Sequence, residues 1–177
     1  MSSLSGKATC HRHRKEFALC KAVLSGAITV HPSELSLLQR RGQACVALKQ
    51  YEDAVRDLSV VHNAEPDNES VLEPLASCLL RLKRAKEGLA VLRAHSQPPP
   101  LLMAELCLKG GQHGDALPLL LALSDKEGVS HQVYYLLSLA HVAAGDSAKA
   151  LAAAQRVLEL KPKHKRANHL VARLSAK

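Results

Sequence analysis

The sequence predicts an all-α chain of antiparallel helix pairs stacked into a solenoid, and three observations carry that prediction. Pro32, Pro66 and Pro100 stand 34 residues apart, and Pro162 closes a further segment of the same kind. A fixed period of this size marks a repeat array whose units cannot bury their apolar faces alone. Aromatic residues make up only 2% of the chain, so the core is built from Leu, Ala and Val, which suit closely packed helices. Between the prolines, apolar residues recur at helical spacing. In such an array function lies on the surface that the stacked units present rather than in a catalytic pocket.

Residues 1–34 read as a basic segment followed by an incomplete unit. CKAVLSGAITVHPS aligns with AVRDLSVVHNAEPD through Cys20/Ala54, Leu24/Leu58 and Pro32/Pro66. Residues from about Arg12 to Val30 are therefore a second helix without its first, with Phe17, Cys20, Val23, Leu24 and Ala27 on the apolar side. Phe17 and Cys20 are expected to be buried. The incomplete unit offers a face on which a second copy could stack, and leaves open whether the chain is one segment of a longer array.

Residues 35–68 form the first full unit. Leu38, Gly42, Cys45, Tyr51, Ala54, Leu58 and Pro66 fall at positions 4, 8, 11, 17, 20, 24 and 32 of a count that starts at residue 35. Gly42 and Ala54 are small because the two helices cross there and their backbones approach closely. Residues 69–100 keep Leu72, Ala76, Leu79, Gly88, Leu92 and Pro100 at the equivalent places. Asp67, Asn68 and Ser70 are N-cap candidates, and Pro74 is expected in the first turn, where its missing N–H matters little.

Residues 101–130 form a shortened, irregular unit, since Pro100 and Pro162 are 62 residues apart, six short of two periods. Its first helix is expected from about Leu101 to Lys109, ended by Gly110–Gly111. SDKEGVS over 124–130 is a loop, and the preceding proline run is expected to bend the stack. Residues 131–164 are regular again, with Tyr134, Leu137, Ser138, Ala150, Ala154, Leu158 and Pro162 in register and a turn at Gly145–Asp146. Residues 165–177 read as a terminal capping helix, with Leu170, Val171 and Leu174 inward and Arg166, His169 and Arg173 on a polar outer side.

This register resembles the tetratricopeptide repeat, whose pattern wants a large residue at position 4, small ones at 8 and 20, apolar ones at 11 and 24 and Pro at 32. The resemblance covers nearly all of residues 13–177. It implies a right-handed superhelix and a non-enzymatic adaptor that binds a peptide or helix of a partner protein in a concave groove lined by the first helix of each unit. The family's groove positions fall on Gln39, Gln43 and Val46 in the first full unit, Glu73, Ser77 and Arg81 in the second, and Tyr135, Leu139 and Val142 in the unit at 131–164. Ser36, Ala47, Ser70, Leu80, Gln132 and Ala143 complete those stripes. Co-chaperone members of the family hold acidic tails in a two-carboxylate clamp of Lys, Asn and Arg. Here Gln39 and Gln43 replace its Lys and Asn, and Pro74 replaces the next Asn, so that clamp is absent.

The net charge of +8 sits at the ends. Residues 1–34 carry five basic and two acidic groups and residues 155–177 seven and one, while the middle is nearly balanced. His11, Arg12, Arg14 and Lys15 at the front and Lys161, Lys163, Lys165, Arg166 and Arg173 at the back could neutralise phosphates. A basic RNA- or ribonucleoprotein-associated repeat protein is therefore the alternative reading. It lacks the interleaved aromatics of single-strand binders and the recurring side-chain pairs of base-reading repeats.

The remaining chemistry is sparse. Cys10-His11-Arg12-His13 is the densest group of possible metal ligands, but a structural zinc site needs a second converging pair, so neither a metal nor another cofactor is expected. No phosphate loop, HExxH or GxSxG occurs, and Glu52–Asp53 lie in a helical first turn, where they suit the helix dipole. Cys45, Cys78 and Cys107 fall at core positions. Five cysteines without paired spacing, and no apolar leader, predict free thiols in a reducing compartment, the cytosol or the nucleus.

Overall fold

The computed structural model describes residues 2–126 and 128–176, with side chains from Arg14 onward. Among these residues the secondary structure is helical throughout. The helices are α1 (Ser2–Val30), α2 (Leu35–Ala47), α3 (Tyr51–Ala64), α4 (Glu69–Arg81), α5 (Ala85–Arg93), α6 (Pro100–Lys109), α7 (His113–Ser124), α8 (His131–Ala143), α9 (Ser147–Leu160) and α10 (Lys165–Ser175). They divide into two compact units, Met1–His95 and Ser96–Lys177.

In the first unit α2 and α3 cross at Gly42. A Cβ built there would lie 2.7 Å from Leu58 Cδ2, so only hydrogen fits. Around this crossing Cys45, Ala54, Leu58 and Val61 join Val71, Leu75, Cys78 and Leu79 of α4 in one buried cluster. Each fully buried aliphatic side chain in such a cluster contributes about 1.5–3 kcal/mol relative to exposure.

Polar contacts fasten α1 to this pair. Lys21 Nζ donates to Gln50 Oε1 at 2.7 Å and to Asp53 Oδ2 at 2.8 Å. The bond to Lys21 holds the Asp53 carboxyl below its usual range.

Three sequence expectations change here. Phe17 is 40% exposed, Val23 is 72% exposed and Cys20 is exposed, while Leu24 is buried. Helix α1 packs on α2, which covers the Leu24 side and leaves the rest of the apolar stripe open. Pro74 lies in the second turn of α4 rather than the first. The helix runs through it, without the bond that an N–H at this place would make to the Ser70 carbonyl. Asn68 does stand at the N-cap of α4, but its side chain makes no cap bond. Its Oδ1 accepts from Ser70 Oγ at 2.5 Å and its amide donates to Glu65 Oε2 at 2.8 Å.

One turn geometry closes four helix pairs. After α2, Gln50 N–H donates to Cys45 O and Lys49 N–H to Val46 O, with Lys49 at φ 62°. The same pair of bonds recurs after α4 around Lys83, after α6 around Gly111 and after α8 around Gly145, with φ of 61°, 79° and 82°. This is the Schellman arrangement, which satisfies terminal carbonyls by placing one residue in the left-handed region.

In the second unit α6 ends at the Gly110 cap. Helices α8 and α9 meet through small residues: Ser138, Ala140, Ala150 and Ala154 are all fully buried. Ser138 Oγ satisfies itself by donating to Tyr135 O at 2.6 Å. Asp146 caps α9 by accepting from Lys149 N. Helix α10 packs on α9 through Ala167 and Leu170.

Candidate docking groove

Two stripes of side chains line one groove in the second unit. On α8 they are Gln132, Tyr135 and Leu139, and on α10 they are Arg166, His169 and Arg173; both sets have the i, i+3, i+7 spacing of a single helix face. They border two cavities that share Tyr135, Lys165 and Arg166. The first, of about 370 Å³, adds Glu105, His131, Gln132, Leu136 and His164. The second, of about 330 Å³, adds Leu139, His169, Leu170 and Arg173.

The groove is apolar at its floor and cationic on the α10 side. Leu136 and Leu170 are buried, while Tyr135 and Leu139 are half-buried. Among the described residues Lys165, Arg166 and Arg173 take part in no ion pair, whereas Lys21, Arg41, Arg56, Arg84, Lys149 and Arg156 each hold a carboxylate. The one acidic side chain lining either cavity is Glu105.

Two histidines, His131 and His164, line the first cavity. The His164 ring sits 5.7 Å from that of His131 and 5.0 Å from that of Tyr135. Its Nδ1 accepts the Ala167 N–H at 3.1 Å and so caps α10. Burial, then the nearby His131, Lys161 and Arg166, push the His164 pKa below its usual value. Lys161 Nζ lies 3.5 Å from His131 Nε2.

The sequence reading placed Arg166, His169 and Arg173 on an outer, capping surface; they line the groove instead. The signal that could have found them was the period itself. Arg166, His169 and Arg173 stand 34 residues after Gln132, Tyr135 and Leu139. Helix α10 thus repeats the register of a first helix, and its groove positions carry charge where those of α8 carry amide, aromatic and apolar groups. His131, His164 and Lys165 belong to the helix starts, where that register names no groove position.

The other expected groove residues are spread along α2, α4 and α8. Gln39 is half-buried and donates from Nε2 to Ser70 Oγ at 2.6 Å, joining α2 to α4. Gln43, Glu73 and Arg81 are exposed and Ser77 is half-buried. Val46 packs partly against the core cluster. Val142 is half-buried, one turn beyond Leu139 on α8.

Among the described residues no cysteine forms a disulfide; Cys45, Cys78 and Cys107 are buried and Cys20 is exposed. Burial pushes the Cys78 thiol up to about 11 and raises that of Cys45, which keeps both protonated and inert. Among the described residues no three His, Cys, Asp or Glu side chains gather as metal ligands, and no helix is long and apolar enough to cross a membrane. The Cys10-His11-Arg12-His13 run lies outside the side chains described.

Successive antiparallel helix pairs within each unit define a helical-repeat fold. A model of the tetratricopeptide repeat family matches residues 101–165. Among solved structures, YrrB, described as a TPR protein with an unusual peptide-binding site, is 18% identical with a TM-score of 0.77, covering 88% of this chain and 83% of its own. MamA from Desulfovibrio magneticus RS-1 is 22% identical with a TM-score of 0.71, covering 81% and 85%. TTC0263, a thermophilic TPR protein of Thermus thermophilus, is 16% identical with a TM-score of 0.61, covering 91% of each chain. FK506-binding protein 59 of Drosophila melanogaster is 27% identical over 82 residues, 46% of this chain. That stretch spans 19% of the relative's length. Residues 101–165 thus match the tetratricopeptide repeat, and the fold of the chain is the one these repeat proteins share; proteins of that family generally mediate protein–protein interaction.

Proposed function

We propose that the chain is a non-enzymatic adaptor which docks a peptide or helical segment of a partner protein along the first helices of its units. The observation that carries this reading is the pairing of Gln132, Tyr135 and Leu139 with Arg166, His169 and Arg173 along one open groove in the second unit. A groove with an apolar floor and polar walls suits an extended segment or a helix laid along it. The peptide-binding site ascribed to YrrB supports the same general use of the fold. In the first unit Gln39, Gln43 and Val46 on α2 and Glu73, Ser77 and Arg81 on α4 form the corresponding surface. Described cysteines without disulfides accord with action in a reducing compartment such as the cytosol.

Affinity capture tests this reading by comparing the wild-type chain with a Gln43→Ala/Tyr135→Ala/Leu139→Ala variant of unchanged helicity. Loss of a subset of partners is the expected result. Partners wholly indifferent to the three changes would remove the groove from the account.

A further inference from the structure

We infer that the α8–α10 groove selects an acidic segment, one that sets carboxylates against α10 and an apolar side chain between Tyr135 and Leu139. The inference rests on the groove reading above and adds the chemistry of the occupant. Arg166 and Arg173 are seven residues apart on one face of α10, roughly 10 Å along the axis at ~1.5 Å per residue. Two carboxylates of one ligand segment can each meet a guanidinium, the group best suited to grip them with paired hydrogen bonds. Lys165 adds a third cation at the junction of the two cavities.

These cations have no carboxylate partner within the chain among the described residues, whereas cations elsewhere pair with carboxylates of α3, α5, α9 and the α9 N-cap. A cationic wall left unneutralised beside an apolar floor attracts an anionic ligand and repels a basic one. Glu105 faces the same space and would repel a carboxylate placed beside it. The acidic contacts therefore belong at the Arg166–Arg173 side, away from α6. Nucleic acid fits less well. The floor is leucine, and Tyr135 is the one Phe, Trp or Tyr bordering either cavity, whereas single strands are held by successive stacked aromatics.

The test uses the full chain and fluorescence anisotropy with four labelled probes. They are a glutamate-rich peptide of about ten residues bearing two leucines, its Gln-for-Glu and Lys-for-Glu counterparts, and an oligouridylate of matched charge. The acidic peptide should bind about tenfold or more tightly than the glutamine peptide, a difference of about 1.4 kcal/mol, and the lysine peptide should not bind. Arg166→Glu/Arg173→Glu should weaken the acidic peptide by about tenfold or more, and Arg166→Gln/Arg173→Gln by less. Lys86→Glu, an exposed change on α5, should leave it unaltered. Circular dichroism on each variant checks that the helices are retained.

Equal binding of the glutamine and acidic peptides, both lost in Tyr135→Ala/Leu139→Ala, would overturn the acidic preference and leave the groove standing. Oligouridylate that binds more tightly than the acidic peptide and displaces it would overturn the inference in favour of nucleic acid. Failure of every peptide would overturn both the preference and the groove.

Discussion

Arg41 and Asp57 form a two-pronged ion pair where α2 and α3 meet, with Nε donating to Oδ2 and Nη2 to Oδ1, each at 2.7 Å. Asp57 is only 3% exposed, so the carboxylate depends on this one guanidinium. The hydrogen bond to Asp57 raises the Arg41 pKa further, and Nη1 reaches Ser25 Oγ of α1 at 3.4 Å. Arg41→Ala leaves a buried charge unpaired and should cost about 3 kcal/mol, the low end for such pairs because Arg41 itself keeps some exposure. Arg41→Lys should fall between the two, since an ammonium cannot reproduce the paired geometry. Urea denaturation of the three chains measures the order.

Gly42→Ala places a methyl 2.7 Å from Leu58 Cδ2 and 2.8 Å from Cγ. Leu58 is completely buried, so any retreat takes it through packed neighbours. The expected loss is about 1–3 kcal/mol from overpacking, which exceeds the gain of about 1 kcal/mol in helix propensity. A thermal midpoint at or above that of the wild type would mean that the helices slide apart at little cost.

Lys49 and Lys83 occupy the left-handed position that Gly111 and Gly145 fill in the second unit. A side chain there costs about 1–2 kcal/mol, so Lys49→Gly and Lys83→Gly should each stabilise by up to about 1 kcal/mol after the entropy of the unfolded glycine is counted. Gly145→Lys should do the reverse. Chemical denaturation with unchanged slope distinguishes this from a change in the unfolded state.

His164 supplies a pH dependence. Its folded pKa is pushed below 6.5 by burial and neighbouring cations, so in that range the unfolded chain binds the proton more readily. Its contribution is therefore present above about pH 6.5 and is lost as pH falls through the lower folded value. Protonation also takes from Nδ1 the lone pair that caps α10. The thermal midpoint should drop more between about pH 7.5 and about pH 5.5 in the wild type than in His164→Asn, which keeps a cap without titrating.

Much of the helix-pair architecture was legible because it is written in period and size: the proline spacing, Gly42 against Leu58, and Gly110–Gly111 after α6. What escaped depended on neighbours. The alignment put Phe17 and Cys20 in a core, yet burial needs a covering element, and α2 reaches the Leu24 side of α1. Lys49 and Lys83 gave no hint of left-handed turns, since their conformation is imposed by the helix pairs on either side. That Tyr135 and Leu139 share one face of α8 was readable from the register. The cationic wall opposite them emerges only when α10 carries the same count as the first helices. Gln39 shows another limit, for its amide is engaged by Ser70 across two helices, a contact that register alone does not reveal.

The most direct measurement is an amide NMR titration of the ¹⁵N-labelled chain with the glutamate-rich, leucine-bearing peptide. Saturable shifts centred on Gln132, Tyr135, Leu139, Arg166, His169 and Arg173, and absent in Arg166→Glu/Arg173→Glu, are the predicted result. Shifts confined to other surfaces, or none at concentrations well above those that saturate anisotropy, would contradict it.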